Sequence, residues 1–256
     1  MDPRFQRLAL ITGPDTFNVL TQQSVIIFGV GGVGSWCAEA LVRSGIRALT
    51  IVDSDSVCVT NINRQVQATS ATIGQPKVAA LKDRLAEINP ACRIDAAESV
   101  FSHETADRFN LGEFDYVIDA IDSVSSKLDL IEKATSIGTT FYSCMGMAQK
   151  LDPTCIKTVD IWETSGCSLA RLVRSGLKKR GFTGHFTTVY SNEKLPRHEE
   201  IDVACGSGHC LCPANKTGVD WCATKKVING SAVPVTASAG MILASLILRD
   251  LMSKTI

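Results

Sequence analysis

Apolar runs alternate with amphipathic stretches along the first 147 residues of the chain. Short apolar runs at residues 24–29, 48–53, 92–99, 114–122 and 139–146 are typical of strands buried on both faces. Helical stretches lie between most of them: one ends at Gly45, one covers 75–90 with Pro90 as its stop, and one covers 125–138. This alternation predicts an α/β fold built on a doubly wound, mostly parallel sheet.

The pattern changes in the second half of the chain, residues 148–256. Strand-like runs at 154–162 and 185–191 flank a basic amphipathic stretch at 167–181, which predicts a smaller antiparallel and helical portion. Residues 192–230 are rich in turn formers and cysteine, and loops of this length in compact domains are usually functional or mobile. A last helix is predicted from about Val235 to Met252. We expect a single domain over residues 1–256.

Composition narrows the class of protein. The chain has 256 residues, 45% of them apolar, which suits one large buried sheet and excludes a disordered chain. Its net charge is zero, so no global basic field favours nucleic acid or an anionic membrane, and any RNA contact must come from a local patch. The start of the chain, MDPRFQRLAL, has no cleavable apolar region. The ten cysteines are therefore expected to be reduced thiols in the cytoplasm, or metal ligands.

One late segment has the composition of a short membrane span. Residues 232–248 are small and apolar, at the lower limit of length for spanning a bilayer. Pro234, Thr236 and Ser238 make the segment less apolar, and a buried helix that closes the core fits it as well. We expect no membrane insertion.

A glycine loop follows the first predicted strand. Gly29, Gly31 and Gly34 have G-x-G-x-x-G spacing, and Gly32 adds a second consecutive glycine. Such a loop lets the backbone approach a phosphate, and the following helix N-terminus offers N–H groups. Asp53 ends the second strand, where an acidic residue can bind a ribose hydroxyl. Alone, the loop indicates an NAD-dependent oxidoreductase, or a turn that only permits close helix–sheet packing.

Three further groups favour ATP. Arg64 lies just beyond the second strand, Lys77 follows Pro76 in the first turn of a helix, and Asp119 and Asp122 end the fourth strand. A lysine in a first turn opposes the helix dipole, which suggests a role other than helix stability. Cations suit triphosphate oxygens and a carboxylate suits Mg²⁺, whereas a dinucleotide needs neither. The alternatives are a surface ion pair for Arg64, a solvated charge for Lys77 and an N-cap for Asp122, but their ordered recurrence favours a Rossmann-like ATP-binding half at residues 1–147.

The chain resembles the adenylating superfamily that includes the ubiquitin-activating, molybdopterin-synthase-activating and thiamine-sulfur-carrier-activating enzymes. The resemblance rests on GVGGVGSW, DSDSVCVTNINRQ, GQPK and DAIDS, in this order and spacing. Within the superfamily it is most similar to the tRNA threonylcarbamoyladenosine dehydratases, through GGVGSWCAEALVRSGI, EINPACRI, VIDAIDSVSSK, LDPTCIKTVDI and SLARLVRSGLKKRG. The similarity covers roughly residues 4–190 and the final helix.

The resemblance implies a homodimer that uses ATP and Mg²⁺, with a monovalent cation as an additional candidate ligand. It implies a set of nucleotide-binding residues: Gly29, Gly31, Gly32, Gly34, Asp53, Asp55, Asn61, Arg64, Gln65, Lys77 and Asp122. Asp53 would bind ribose, and Asp122 would hold Mg²⁺. Arg4 or Arg7 resembles an N-terminal arginine that relatives pass to the partner's ATP, with Arg7 as our candidate. The expected catalytic residues are Arg64, Lys77, Asp122 and Arg7.

The resemblance also implies a reaction. The carboxylate of threonylcarbamoyladenosine in tRNA attacks the α-phosphate, and the activated carbonyl is then attacked from within the same modification, which closes a ring. A first alternative is activation of the C-terminal carboxylate of a ubiquitin-like sulfur carrier, with sulfur-transfer or desulfurase-type proteins as candidate partners. The lack of paired C-x-x-C motifs argues against it. A second alternative is a non-catalytic nucleotide-binding adaptor.

The cysteines leave two hypotheses open. Cys167, just before the basic helix, is either a nucleophile or a small buried thiol. Four cysteines lie within eighteen residues of one another, beside His209, and form either a zinc site or unliganded loop thiols: Cys205, Cys210, Cys212 and Cys222. Their spacing matches no common zinc module.

A basic patch is the candidate tRNA contact. Its residues lie on the predicted helix at 167–181 and in the following loop: Arg171, Arg174, Lys178, Lys179, Arg180, Arg197, Lys225 and Lys226. Such a set can follow a phosphate backbone. The alternative is a solvated helix face whose charges match the dipole at its C-terminus.

Overall fold

The computed structural model describes residues 2–196 and 229–255. The strands within them are β1 (Ser24–Phe28), β2 (Ala48–Val52), β3 (Arg93–Ala97), β4 (Tyr116–Asp119), β5 (Thr140–Cys144), β6 (Ile156–Asp160) and β7 (Thr187–Ser191). The α-helices are α1 (Gln6–Thr12), α2 (Pro14–Leu20), α3 (Gly34–Arg43), α4 (Lys77–Ile88), α5 (Val124–Ile137), α6 (Ser168–Lys179) and α7 (Val233–Thr255).

The strands form one sheet of order β3-β2-β1-β4-β5-β7-β6. All neighbours pair in parallel except β6 and β7, which pair antiparallel at one edge. The predicted α/β fold with a mostly parallel sheet is therefore confirmed, and the second half of the chain extends the same sheet. The strand order reverses between β1 and β4, and a crevice at the carboxyl ends of these two strands is where ligands bind in such sheets.

The apolar runs form strands because both faces of the sheet are covered. Val25 and Ile27 contribute to the core beneath α3, α4 and α7, whereas Ile26 and Phe28 contribute to the core beneath α5 and α6. Successive strand residues point to opposite faces, so a strand buried on both faces must be apolar throughout.

The predicted helix ends are found at residues with the expected backbone geometry. α4 ends at Ile88, and Asn89, which precedes a proline, has left the helical conformation, with φ of −138° and ψ of 88°. Gly138 ends α5 in the left-handed conformation, with φ of 81°. The sequence analysis did not predict α1 and α2, which are short and meet at Gly13.

The last helix, α7, packs along α3. A Cβ at Gly240 would lie 2.5 Å from the carbonyl oxygen of Val33, so the glycine permits this close approach. Ala239, Leu243 and Ile247 are fully buried in the core shared with α3. By length and composition alone α7 also qualifies as a membrane span. Its buried face agrees with the predicted helix that closes the core.

Candidate nucleotide-binding site

The four glycines of the loop between β1 and α3 have two different surroundings. Gly29 has φ of 85°, and a Cβ there would lie 2.7 Å from the carbonyl oxygen of Ala120. A Cβ at Gly34 would collide with the carbonyl oxygen of Gly29. These two positions therefore serve packing between the loops that follow β1 and β4. At Gly31 the nearest atom to an added Cβ is Gln65 Nε2 at 3.8 Å, so the backbone there stays open to a ligand.

The peptide groups of Val30 are held from both sides. Its N–H donates to Asp53 Oδ2 at 2.9 Å, and its carbonyl oxygen accepts a hydrogen bond from Gln67 Nε2 at 2.8 Å. Gln67 is buried. Sequence reasoning missed this residue, although it lies only two positions beyond Gln65 in the NINRQVQ stretch. The two bonds preorganise the glycine loop before any ligand arrives.

Asp53 connects the glycine loop to the segment after β2. Its Oδ1 accepts the backbone N–H of Asp55 at 2.9 Å, while Oδ2 accepts that of Val30. Burial raises the pKa of the Asp53 carboxyl, and the nearby Lys77 ammonium opposes this effect. Each carboxylate oxygen still has a lone pair for another donor. Asp53 thus shapes the loop, and its carboxylate retains the capacity to accept one further hydrogen bond.

Lys77 is the first residue of α4 and its side chain is only 8% exposed. Its Nζ lies 2.7 Å from Asp55 Oδ2 and 3.8 Å from Asp53 Oδ1. Burial alone would lower the pKa of Lys77, but the charges of Asp53 and Asp55 raise it above the ordinary value. The alternative of a solvated charge is therefore wrong. Lys77 is a fixed cation, held by carboxylates at a helix N-terminus.

Arg64 is fixed by its own loop. Its guanidinium donates to the carbonyl oxygen of Thr60 at 2.8 Å and to Asn63 Oδ1 at 2.9 Å. Trp36 Nε1 donates to the Arg64 carbonyl oxygen at 3.0 Å. The Arg64 Cγ and Cδ lie 3.3 Å from where a Cβ at Gly32 would be. The arginine is therefore stretched alongside the glycine loop, and in the described part of the chain it forms no salt bridge of the kind that its alternative required.

The structure separates the roles of Asp119 and Asp122. Asp119 is fully buried and forms an ion pair of 2.6 Å with Lys127, so it is enclosed within the protein. Asp122 is exposed in the loop at residues 120–123. Ser123 is the N-cap residue of α5, so the N-cap alternative for Asp122 is wrong. Of these two carboxylates, Asp122 is the one that is exposed at this end of the sheet.

The expected catalytic residues of the glycine-loop region lie close together. The charge of Asp122 acts on both cations, and it raises the pKa of Lys77 and opposes the lowering of the Arg64 pKa by burial. The three side chains, from the loop after β2, the start of α4 and the loop after β4, thus share one electrostatic environment, and Arg64 lies along Gly32. A hard carboxylate, two cations and an open glycine backbone fit a triphosphate with its Mg²⁺.

Asn61 and Gln65 support this arrangement from within the loop. Asn61 Oδ1 accepts the backbone N–H of Cys58 at 2.9 Å, which closes the turn before Arg64. Gln65 is buried, and its Oε1 lies 3.4 Å from Gln67 Nε2. The described contacts of both side chains are with the loop itself.

The two N-terminal arginines differ in their contacts. Arg4 binds the carboxylate of Asp2, with a shortest distance of 2.6 Å, and donates to the carbonyl oxygen of Ile88 at 3.2 Å. Arg7 lies exposed on α1, on the same face as Leu10 and Ile11, which are 86% and 74% exposed. Of the two candidates, Arg7 is therefore the one whose guanidinium is not committed to its own chain within the described residues.

The basic patch is only partly available to a ligand. Arg180 pairs with Asp129 at 2.6 Å and with Glu132 at 2.7 Å, and Arg174 hydrogen-bonds Thr164. Lys178 lies 5.8 Å from the ring centroid of Trp162. Arg171 and Lys179 are exposed on α6. The other predicted members lie outside the described residues: Arg197, Lys225 and Lys226.

Of the two cysteine hypotheses, the zinc hypothesis also concerns residues outside the described part of the chain. Cys205, Cys210, Cys212 and Cys222 lie outside the described residues, and across 2–196 and 229–255 no cluster of metal-ligating side chains occurs. Cys167 is buried, and its Sγ lies 3.9 Å from the carbonyl oxygen of Gly146. Burial of this kind fits a small packed thiol better than an attacking nucleophile.

Fold and site together define a Rossmann-like, nucleotide-binding class of protein, with a glycine loop and with two cations and a carboxylate whose charges interact. The sequence matches the ThiF family over residues 4–255, and the chain belongs to that family. It is 40% identical over 190 residues to the tRNA threonylcarbamoyladenosine dehydratase of Bacillus subtilis (74% of this chain, 75% of the relative). It is 35% identical over 257 residues to the dehydratase of Haemophilus influenzae (99% and 95%).

A solved structure extends the likeness to the fold. The crystal structure of the Escherichia coli tRNA N6-threonylcarbamoyladenosine dehydratase in complex with ATP superposes with a TM-score of 0.82 at 31% identity. The match covers 98% of this chain and 95% of that chain. A relative of nearly the same length and fold therefore binds ATP.

Proposed function

We propose that this protein is an ATP-dependent tRNA threonylcarbamoyladenosine dehydratase, which adenylates the threonyl carboxylate and cyclises it. The observation that carries the proposal is the set of charges at the glycine loop: Arg64 lies along Gly32, and the charge of Asp122 acts on both Arg64 and Lys77. In a chain similar to dehydratases over nearly its whole length, this grouping favours the same reaction. An NAD oxidoreductase would need neither the cations nor the carboxylate.

The residues of the site have separate tasks in this reaction. The backbone at Gly31 and Gly32 approaches the phosphates, and Asp53 accepts a ribose hydroxyl. Arg64 and Lys77 contact phosphate oxygens. Mg²⁺ held by Asp122 would neutralise charge on the departing pyrophosphate. Because the cations are already fixed, they stabilise developing charge without reorganisation at the moment of reaction.

The chemistry proceeds in two displacements. A carboxylate oxygen of the threonyl group forms a bond to the α-phosphorus, and the bond to the bridging oxygen breaks as pyrophosphate leaves. A nucleophile of the same modification then attacks the acyl carbon, a five-membered ring closes, and AMP leaves. Intramolecular attack carries a large effective molarity, so no nucleophile from the protein is needed. The burial of Cys167 agrees with this scheme.

The second candidate function is activation of the C-terminal carboxylate of a small sulfur carrier. It uses the same first displacement, so the nucleotide site alone does not discriminate between the two. The similarity to dehydratases favours the first function, because it extends over 99% of the chain. The second function would bring sulfur-transfer or desulfurase-type partners, which the first does not require.

AMP release distinguishes the candidates. We would supply purified tRNA carrying threonylcarbamoyladenosine, unmodified tRNA, and a panel of sulfur carrier proteins in parallel reactions with ATP and Mg²⁺. Release that depends on the modified tRNA, together with loss of one water from the modified nucleoside by mass spectrometry, supports the dehydratase. Release that depends on a carrier protein would replace it with the second candidate.

The proposal includes a homodimer in which Arg7 reaches the partner's ATP. Its support is an exposed arginine beside two exposed apolar side chains on α1, Leu10 and Ile11. Mixing an Arg7→Ala protein with a Lys77→Met protein tests it, because a mixed dimer contains one site with both residues intact. At statistical mixing about a quarter of the wild-type activity should return. Two inactive proteins that stay inactive when mixed would refute the exchange.

The remaining parts of the proposal concern location and zinc. We place the enzyme in the cytoplasm, since the described residues include six free thiols and a reducing compartment keeps them so. Zinc binding by the cysteines at 205–222 is tested by elemental analysis of untagged protein. Less than about a tenth of an equivalent would end that hypothesis.

A further inference from the structure

A fully buried ion pair lies directly behind the candidate ATP site. Lys127, in the first turn of α5, places Nζ 2.6 Å from Asp119 Oδ2 at the end of β4, and neither side chain has exposed surface. Burying two charges costs desolvation, and well-packed apolar residues often serve stability equally well. The reaction proposed above uses neither residue directly. Stability alone is thus a weak reason for the pair.

The pair belongs to a closed set of hydrogen bonds that we name the Asp119 cluster: Asp119, Lys127 and Ser143. Lys127 Nζ also donates to the carbonyl oxygen of Cys144 at 2.9 Å and to Ser143 Oγ at 3.3 Å. Ser143 Oγ in turn donates to Asp119 Oδ2 at 2.6 Å. The three donors of the ammonium are all used, so the cluster ties together the carboxyl ends of β4 and β5 and the start of α5.

The same cluster controls the loop that carries Asp122. The other oxygen of the Asp119 carboxylate, Oδ1, accepts a hydrogen bond from the backbone N–H of Ile121 at 3.0 Å. On one side of the loop, the N–H of Ala120 donates to the carbonyl oxygen of Phe28 at 2.8 Å. On the other, the N–H of Lys127 donates to the carbonyl oxygen of Ser123 at 3.0 Å. The backbone around Asp122 is thus fixed at three points, and one of them is the Asp119 carboxylate.

We infer that Lys127 is a positioning residue for Asp122. By holding the Asp119 carboxylate in place, it fixes the loop so that the Asp122 carboxylate faces the metal and the triphosphate together. The inference rests on the proposed function, because it concerns how Mg²⁺–ATP is held. Residues that orient a metal ligand typically change metal affinity or activity by about 10–100-fold when removed.

Two variants, a double variant of Asp119 and Lys127 and the single variant Ser143→Ala, separate an effect on the position of Asp122 from an effect on folding. Lys127→Met alone leaves Asp119 as an uncompensated buried charge and endangers folding. The double variant Asp119→Asn, Lys127→Met removes both charges and retains the volume. Ser143→Ala removes a single donor from Asp119. The matched control is Lys133→Met, which removes a lysine of the same helix whose ion pair with Asp107 is exposed.

The readout is binding, not turnover. Isothermal titration calorimetry would measure ATP affinity across a range of Mg²⁺ concentrations, and AMP affinity in the presence of EDTA. We expect the Mg²⁺ concentration for half-maximal ATP binding to rise about 10–100-fold in the double variant and less in Ser143→Ala, while AMP affinity and the Lys133→Met protein stay unchanged.

Three other outcomes would show whether the inference about Lys127 or the proposed function is wrong. If the folded double variant keeps the wild-type Mg²⁺ dependence, Lys127 does not position Asp122, and this inference is overturned on its own. An equal loss of AMP and Mg²⁺–ATP binding would also overturn it, because general damage to the pocket would then explain both losses. A wild-type protein that binds no Mg²⁺–ATP would contradict the proposed function, and the inference with it.

Discussion

The replacement Lys77→Met tests the electrostatic core of the proposed site. Methionine keeps most of the length of the side chain and removes the ammonium, which lies 2.7 Å from Asp55 Oδ2 and 3.8 Å from Asp53 Oδ1. Two effects follow. The triphosphate loses a fixed cation, and two carboxylates near the glycine loop lose their shared counter-charge.

The catalytic effect is the larger of the two. Loss of one preorganised group that stabilises transition-state charge typically costs about 2.7–4 kcal/mol, or about 10²–10³-fold in kcat. The uncompensated carboxylates of Asp53 and Asp55 add negative charge near the bound nucleotide, so we expect the upper part of this range.

The loss of folding stability should be smaller than for a fully buried pair. Removing one partner of a buried ion pair costs about 3–5 kcal/mol. Asp55 is 39% exposed, so water screens it and we expect about 1–3 kcal/mol. The raised pKa of Lys77 means that its contribution is complete below the ordinary lysine value of 10.5 and is lost only as the pH rises beyond it. An assay at neutral pH therefore measures the whole effect.

The assay is AMP release at saturating modified tRNA and ATP, with thermal melting in parallel. Lys82→Met is the matched control, since Lys82 is an exposed lysine on the same helix and should leave both measurements unchanged. A second protein, Asp55→Asn with Lys77→Met, restores charge balance and should recover stability but not kcat. A folded Lys77→Met protein with kcat within about threefold of wild type would refute the reasoning, as would recovery of kcat in the double variant.

Three further predictions concern other parts of the molecule. Lys179→Gln should weaken tRNA binding and reduce the slope of log K against log salt by about 0.7–0.9, whereas Lys82→Gln leaves that slope unchanged. Burial alone would raise the pKa of the Glu39 carboxyl, but hydrogen bonds from Arg84 and Arg43 hold it below its ordinary value of 4.5. Glu39→Gln should therefore lower the unfolding free energy by about 1–2 kcal/mol at pH 7, and urea titrations should show this difference shrinking as the pH falls below 4.5. Cys167→Ala should keep kcat within about tenfold of wild type, because the buried thiol is not the nucleophile; a greater loss in the AMP assay contradicts that view.

The regular elements near the site follow from local sequence patterns. The apolar strand at 24–29, the glycine loop and the helix that begins at Lys77 each depend on interactions between residues close in the chain. Parallel strands also bring their carboxyl ends to one edge of a sheet, so a sequence pattern predicts that Arg64, Lys77 and Asp122 lie at that edge.

Contacts between distant segments were beyond the sequence analysis. Asp119 and Asp122 both follow the fourth strand, and no local pattern indicates which carboxylate is enclosed. The distinction arises from Lys127 and Ser143, which approach Asp119 through tertiary packing. One signal was present in the sequence: Lys127 lies between Ser126 and Leu128 on the buried face of an amphipathic helix, where a lysine requires an anionic partner.

The glycines of the loop differ in their surroundings, and this difference links the fold to the proposed chemistry. The carbonyl oxygen of Ala120 lies so close to Gly29 that a side chain at Gly29 would collide with it. The glycine loop and the Asp122 loop are therefore packed together as one rigid unit. Gly31 and Gly32 present backbone on the other side of the same unit. Since close-packed interiors transmit small displacements, a change behind Asp119 should reach the Asp122 loop, while the hydrogen bonds from Asp53 and Gln67 hold the glycine-loop backbone in place. The site is in this sense one rigid edge of the sheet, and in the proposed reaction that edge holds its cations and carboxylates at fixed separations around the triphosphate.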